Sequence, residues 1–103
     1  MITIVALLTI RDADAFDRFE RQAIAIMEAY DGRLDSAFRP GVADSKAAPH
    51  VDEIHVLKFP DLDSFNRYRN DDKLLSLATL REKAISQSTV YVSTIEVDYA
   101  AQG

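Results

Sequence analysis

One histidine in the middle of a predicted strand is the side chain best suited to chemistry in this sequence. His55 lies in the alternating segment from Glu53 to Phe59, where period-two geometry places it on the same face as Glu53. An imidazole titrates near neutral pH and can accept or donate a proton in a reaction. We therefore take His55 as the candidate catalytic residue, acting as a general base.

Neighbouring strands can supply further polar groups around this histidine. The side chains that we expect near it combine guanidinium, carboxylate and hydroxyl groups, and they are Arg33, Asp35, Arg39, Glu53, Tyr91 and Ser93. Such a set around a small cavity can bind a phenol, a quinone or a carboxylate. The alternative is a hydrogen-bonded histidine within a polar network across a dimer interface. No spacing in the sequence requires catalysis, so the alternative interpretation is favoured.

Metal and cofactor sites are not expected. The 103 residues include no cysteine, which excludes disulfides, thiolate nucleophiles and cysteine-based zinc or iron–sulfur sites. His50 and His55 stand five positions apart on a loop and a strand, so their side chains need not converge on a metal ion. Isolated glycines also leave no phosphate-binding loop.

The charge balance argues against nucleic acid and membrane partners. The net charge is −5, from 12 Lys and Arg against 17 Asp and Glu, with no basic run. The longest apolar run, from Ile4 to Leu8, is too short to span a bilayer. It also lacks the basic start and the small-residue cleavage site of a signal peptide, so we expect a cytoplasmic location.

Hydrophobic patterning predicts the elements that must position these side chains. Runs rich in β-branched residues indicate strands, and apolar residues at three- and four-residue steps indicate helices. Gly32 is expected to end the first helix in a left-handed conformation. The predicted strands cover residues 1–10, 33–39, 51–59 and 89–99, and the predicted helices cover residues 13–30, a short stretch after Pro60, and residues 73–86.

This order predicts an α+β domain with a ferredoxin-like βαββαβ plan. Right-handed crossovers place both helical segments on one face of a four-stranded antiparallel sheet. A chain of 103 residues suits one domain, which we expect over residues 1–99 with a tail at residues 100–103.

The sheet face without helices predicts a homodimer. If Val5, Leu7, Ile54 and Val56 meet the helices together with Val90 and Val92, the other face carries a set too apolar for water. That set is Ile2, Ile4, Ala6, Leu8, Leu57, Phe59 and Ile95. Strand alternation places His55 on this same barrel face. Two such faces packed across a two-fold axis form a closed barrel.

Three segments of the sequence resemble a known family. They are EIHVLKFPDLDSFNRYRND at Glu53–Asp71, the helix-to-strand step Tyr30–Leu34, and LATLREKAI at Leu77–Ile85. They are similar to domain-of-unknown-function family 1330, in the antibiotic-biosynthesis-monooxygenase-like superfamily of dimeric α/β barrels. The resemblance implies a ferredoxin-like fold, a dimer and a cavity inside each half-barrel. Arg39-Pro40-Gly41 replaces the glycine-rich step that is usual after the second strand.

The resemblance implies no single activity. Relatives in the wider superfamily include cofactor-free oxygenases, haem-degrading enzymes and chlorite dismutases, each using different residues. Three hypotheses therefore stand side by side. The first is a dimer that binds a small aromatic or acidic metabolite, the second a cofactor-independent oxygenase-like or isomerase-like enzyme using His55, and the third a structural dimer without a ligand.

Overall fold

The computed structural model describes residues 1–100, so the predicted tail lies outside the described residues apart from Ala100. Strands and helices follow one another in the predicted order. The strands are β1 (Ile2–Ile10), β2 (Arg33–Phe38), β3 (Glu53–Phe59) and β4 (Ile85–Ser93). The helices are α1 (Ala13–Met27), α2 (Leu62–Arg69), α3 (Asp72–Ser76) and α4 (Ala78–Ala84), and a 3₁₀ turn at Glu28–Tyr30 follows α1.

The four strands form one antiparallel sheet in the order β2-β3-β1-β4. Residues of β1 pair with β3 on one side and β4 on the other, so that Ala6 lies between His55 and Val90. All helices cover the same face. The predicted α+β ferredoxin-like arrangement is therefore confirmed.

The helix-facing side of β1 carries its even-numbered residues. Ile2, Ile4, Ala6 and Leu8 are buried, whereas the odd-numbered side chains between them are only partly covered. The expected assignment of faces is therefore wrong for β1 and β3. Val5, Leu7, Ile54 and Val56 lie on the side away from the helices, as the strand register requires. The predicted strand position of Ile95 is also wrong, because β4 ends at Ser93.

Helix α1 begins at a side-chain cap and ends at a tight turn. The Asp12 carboxylate accepts hydrogen bonds from the backbone N–H groups of Asp14 and Ala15. At the other end Asp31, not Gly32, takes the left-handed conformation, with φ of 58°. Gly32 serves a different purpose, because a Cβ there would overlap the Phe59 ring and the Met27 side chain.

The second helical segment is broken into three short helices. Asp71 caps α3 by accepting hydrogen bonds from the N–H groups of Lys73 and Leu74, and Leu77 separates α3 from α4. Helix α4 then runs directly into β4 at Ile85, earlier than the predicted strand start at residue 89. Beyond Ile85 the helix-facing side of β4 has little cover, and Val90 is 47% exposed.

Two apolar clusters fill the space between the helices and the sheet. One centres on Phe16, Phe19 and Ile85, and the other on Phe59, Phe65 and Tyr68. Ring contacts hold the second cluster together, with the Phe59 centroid 5.2 Å from that of Phe65 and 5.5 Å from that of Tyr68.

Candidate functional site

A cavity of about 330 Å³ lies between the helices and the sheet, where the two apolar clusters meet. Its wall is mostly apolar, with Ala6 and Leu57 from the sheet and Phe19 and Ala23 from α1. Exposed side chains, among them Leu75, stand at its rim. The cavity is therefore inside one chain and on the side of the sheet that faces the helices.

His55 is a buried polar residue of this cavity wall, with 5% of its surface exposed. Strand β3 turns it toward the helices, where its ring packs against Phe16 with centroids 6.2 Å apart. The predicted position of His55 on the sheet face that forms the dimer barrel is wrong, because His55 pairs in register with Ala6 on the helix-facing side.

Glu53 holds the imidazole from one side. Its Oε2 lies 2.5 Å from His55 Nε2, and its Oε1 accepts a hydrogen bond from Arg39 Nε at 3.0 Å. Burial raises the pKa of Glu53, but hydrogen bonds from His55 and Arg39 outweigh it and the net pKa is lowered. Because an ionised carboxylate only accepts hydrogen bonds, His55 Nε2 is the donor in this pair.

Glu20 faces the other nitrogen of the same ring. Its Oε2 lies 3.6 Å from His55 Nδ1, and its side chain is 17% exposed. Burial raises the pKa of Glu20, the charge of His55 opposes that shift, and nearby Glu53 adds to it. With Nε2 donating to Glu53, a neutral His55 turns the lone pair of Nδ1 toward Glu20.

Glu20 is a cavity residue that was not among the predicted site residues. The signal is present in the sequence, because Glu20 stands within the apolar stripe of α1, four positions after Phe16 and three before Ala23. If the apolar stripe of α1 packs against the sheet, a carboxylate within that stripe must face inward too. The helical period alone therefore places Glu20 on the inward face of α1.

Tyr68 and Arg81 complete the polar part of the cavity. Tyr68 is buried on α2, and burial followed by the negative charge of Glu20 raises the pKa of its hydroxyl. Arg81 Nη2 donates a hydrogen bond to Ser88 Oγ at 3.0 Å, joining α4 to β4 at the rim. The positive charge of Arg81 also acts on Glu20 and lowers its pKa in part.

The structure brings together only part of the predicted site. Arg39, Glu53 and His55 form one connected chain. Of these three residues only His55 lines the cavity, and the other four predicted residues lie away from it. Arg33 and Asp35 form an exposed ion pair at 3.6 Å. Tyr91 and Ser93 lie on the opposite sheet face, where they pair in register with Val5 and Thr3.

Within residues 1–100, no group of three or more His, Asp or Glu side chains is placed to hold a metal ion. In the same residues, no helix is long and apolar enough to cross a membrane. The cytoplasmic location stays a prediction.

Comparison with known proteins gives a family and a set of similar folds. The model of a family described as Domain of unknown function (DUF1330) matches residues 3–95, which confirms the resemblance noted in the sequence. No curated protein matches the sequence.

The solved structures similar to this chain share its fold at low sequence identity. A protein of unknown function from Rhodopseudomonas palustris, RPA0582, has a TM-score of 0.80 at 14% identity over 94% of this chain and 83% of its own. SnoaB, a cofactor-independent oxygenase from Streptomyces nogalater, has a TM-score of 0.62 at 16% identity over 96% of both chains. A DABB family protein with a ferredoxin-like fold from Mesorhizobium loti has a TM-score of 0.63 at 16% identity over 93% of this chain and 97% of its own.

Proposed function

The chain belongs to this family of unknown function, and we propose that it binds a small aromatic molecule in the cavity between the helices and the sheet. One observation carries the proposal. A largely apolar cavity inside the domain is lined by two side chains able to accept a hydrogen bond or a proton, the buried His55 and the partly buried Glu20. A ring with one hydroxyl or similar donor matches this combination of surfaces.

The size and charge of the cavity narrow the ligand class. A volume of about 330 Å³ lies at the lower end of the range for small-molecule sites and fits one or two fused rings. Glu20 and Glu53 place negative charge beside His55, which disfavours an acid at this end of the cavity. The arginines Arg69 and Arg81 stand at the rim, so an acidic substituent on the ligand would point outward toward them.

A titration with 1-naphthol tests the proposal, since it pairs fused rings with one hydroxyl donor. We expect saturable binding by calorimetry and a complex of matching mass by native mass spectrometry. His55→Ala should weaken this binding at least tenfold, whereas His50→Ala, which changes the exposed loop histidine, should not. Unchanged binding in His55→Ala would remove the role assigned to this residue.

A second pair of variants locates the ligand without disturbing the polar groups. Ala78 is exposed and lines the cavity rim, so Ala78→Trp should obstruct entry and reduce binding. Ala25→Trp places the same bulk on the exposed side of α1 and should leave binding unchanged. Equal affinity in both variants would place the ligand elsewhere.

The chain of carboxylate, imidazole and carboxylate supports an enzyme as the second candidate. A histidine oriented by Glu53 and facing the cavity has the arrangement of a positioned general base. The named activity of SnoaB, a cofactor-independent oxygenase, makes oxygen chemistry one form that such an enzyme takes. An oxygen electrode with a naphthohydroquinone probe checks this form, and a rate equal to that of uncatalysed oxidation would count against it.

We also propose that residues 1–99 act as one domain that pairs with a second copy through the uncovered sheet face. Val5 and Val56 lie at the centre of that face, with Phe38 and Tyr91 around them at 50% and 61% exposure. A central sheet with apolar residues and no helices on this side favours sheet-to-sheet packing across a two-fold axis. The ligand site would then lie on the far side of the sheet from the partner subunit.

A further inference from the structure

Two side chains of the cavity wall differ in hydrogen-bonding capacity, since a carboxylate accepts and a phenol can donate. Glu20 contributes a carboxyl group from α1, and Tyr68 contributes a phenolic hydroxyl from α2. Within residues 1–100 the Tyr68 hydroxyl makes no hydrogen bond, and it is not a fully enclosed atom. The hydroxyl is therefore available to a molecule in the cavity.

The rest of the Tyr68 ring is fixed in position. Phe59 packs against it with centroids 5.5 Å apart, and Tyr30 packs edge-on with centroids 6.4 Å apart. Because both neighbours hold the ring, the hydroxyl cannot turn away to solvent without moving the core. This makes Tyr68 a preorganised donor.

The charges around Glu20 suit a carboxylate that accepts and returns a proton. His55 and Glu53 face it from β3, Arg81 from α4 and Tyr68 from α2. Burial raises the pKa of Glu20, which makes its carboxylate a stronger base than an exposed one. The raised pKa of Tyr68 keeps its hydroxyl protonated as a donor at the same pH.

We propose that the cavity catalyses proton transfer at the carbon next to a carbonyl group, with Glu20 as the proton acceptor and Tyr68 as the donor to the carbonyl oxygen. This inference rests on the proposed function, since the substrate must enter the same cavity. The substrate class is a small aromatic ketone that can form an enol. His55, held by Glu53, lines the same cavity and positions the Glu20 carboxyl group, and the proton moves to Glu20.

The proposed proton transfer needs no reactant other than the ketone. A Glu20 oxygen takes the proton from the α-carbon, the C–H electron pair forms a C=C bond, and the carbonyl π electrons move to oxygen. The Tyr68 hydroxyl stabilises that oxygen by a hydrogen bond as its negative charge develops. Glu20 then returns the proton to the same carbon or to a conjugated one, which gives the starting ketone or its isomer.

Deuterium exchange at the α-carbon of 2-tetralone in D₂O tests proton transfer directly, followed by NMR with the wild-type chain. We expect exchange faster than in buffer, and at least tenfold slower in Glu20→Gln and in Tyr68→Phe than in the wild type. His55→Ala should slow exchange less than Glu20→Gln and shift its pH profile, as a positioning residue does. Glu28→Gln and Tyr91→Phe change exposed residues outside the cavity and should match the wild type.

Saturation-transfer NMR in the same samples separates this inference from the proposed function. Wild-type chain that binds 2-tetralone without accelerating exchange would overturn the inference and leave ligand binding intact. Binding of 1-naphthol without binding of 2-tetralone would also overturn it, because the inference requires the cavity to accept a ketone. A chain that binds neither compound would overturn both. Circular dichroism of each variant checks that the fold is retained, and partial activity in Glu20→Asp would support the carboxylate as proton acceptor.

Discussion

Glu53 Oε2 lies 2.5 Å from His55 Nε2, and both side chains project from β3 toward the helices. Their separation of two residues makes this contact a direct result of strand geometry. The pair continues to Arg39 on one side and to Glu20 on the other, so charged and polar groups lead from the loop side of the sheet into the cavity. Each side chain along this series of contacts limits the orientation of the next.

Removing the Glu53 carboxylate should destabilise the fold. Glu53→Ala leaves the buried His55 Nε2 without its partner, which we expect to cost about 1–3 kcal/mol in the free energy of unfolding. Urea denaturation measures the change. Glu82→Ala, on the exposed side of α4, should stay within about 0.5 kcal/mol of the wild type. Equal stability of the two variants would contradict a structural role for the Glu53–His55 contact.

A methyl group at Gly32 should be poorly tolerated. The added Cβ would lie 2.5 Å from Phe59 Cζ and 2.6 Å from Met27 Cγ, so Gly32→Ala should cost about 1–3 kcal/mol of stability through overpacking. Gly41 offers a matched control, because no atom of residues 1–100, apart from its chain neighbours, lies within 4 Å of a Cβ built there. Thermal unfolding of both variants checks this prediction, and a loss in Gly41→Ala as large as that in Gly32→Ala would refute the packing explanation.

The Glu20 carboxyl group should make stability depend on pH in a defined direction. Its folded-state pKa is raised above 4.5, so its contribution to stability is fully present below pH 4.5 and is lost as pH rises through the folded-state pKa. Glu20→Gln removes this titration. The variant should therefore gain stability relative to the wild type between about pH 4 and about pH 7.

Urea denaturation at both pH values measures that difference. The gain is expected because burial disfavours the charged carboxylate more than His55 and Arg81 favour it. Glu28→Gln provides the control, since Glu28 is exposed in the turn after α1. A Glu20→Gln variant that loses stability relative to the wild type over this pH range would show that attraction to His55 and Arg81 outweighs the cost of burial.

A positive charge at the centre of the uncovered sheet face should prevent pairing. In the proposed dimer, Val56→Lys would place two ammonium groups near each other across the two-fold axis, and we expect this dimer to weaken at least tenfold. Light scattering after gel filtration gives the molar mass. Val42→Lys introduces the same charge on the loop, where Val42 is 96% exposed, and should leave the mass unchanged. A wild-type chain that is monomeric would remove the basis of this prediction.

The sequence predicted the element order because its strands and helices have distinct periodicities. The α1 stripe through Phe16, Phe19 and Ala23 is buried as expected. The assignment of sheet faces failed because β1 is apolar at nearly every position, so alternation could not tell one side from the other. His55 was therefore placed near residues that lie across the sheet from it, among them Tyr91.

The cavity residues from other elements were beyond the reach of local patterns. The position of Tyr68 near Glu20 depends on how α2 packs against β3 and the turn after α1, and strand register and crossovers together determine that packing. The prediction of a left-handed Gly32 at the end of α1 was wrong for a similar reason, because it rested on local sequence alone. Gly32 was expected from its lack of a side chain to take the left-handed conformation, but the close approach of Phe59 is what requires glycine there.

The cavity and the uncovered sheet face lie on opposite sides of the same sheet, and this has a consequence for how the protein can change over evolution. Adjacent residues of β1 serve different purposes, since Ala6 borders the cavity and Val5 faces away from it. With the proposed ligand site and pairing, substitutions at even positions would alter the cavity, and substitutions at odd positions would alter the face proposed to pair. Ligand preference and assembly would then be able to diversify independently within a single nine-residue strand, and a library randomised at alternate positions would sample one property while holding the other constant.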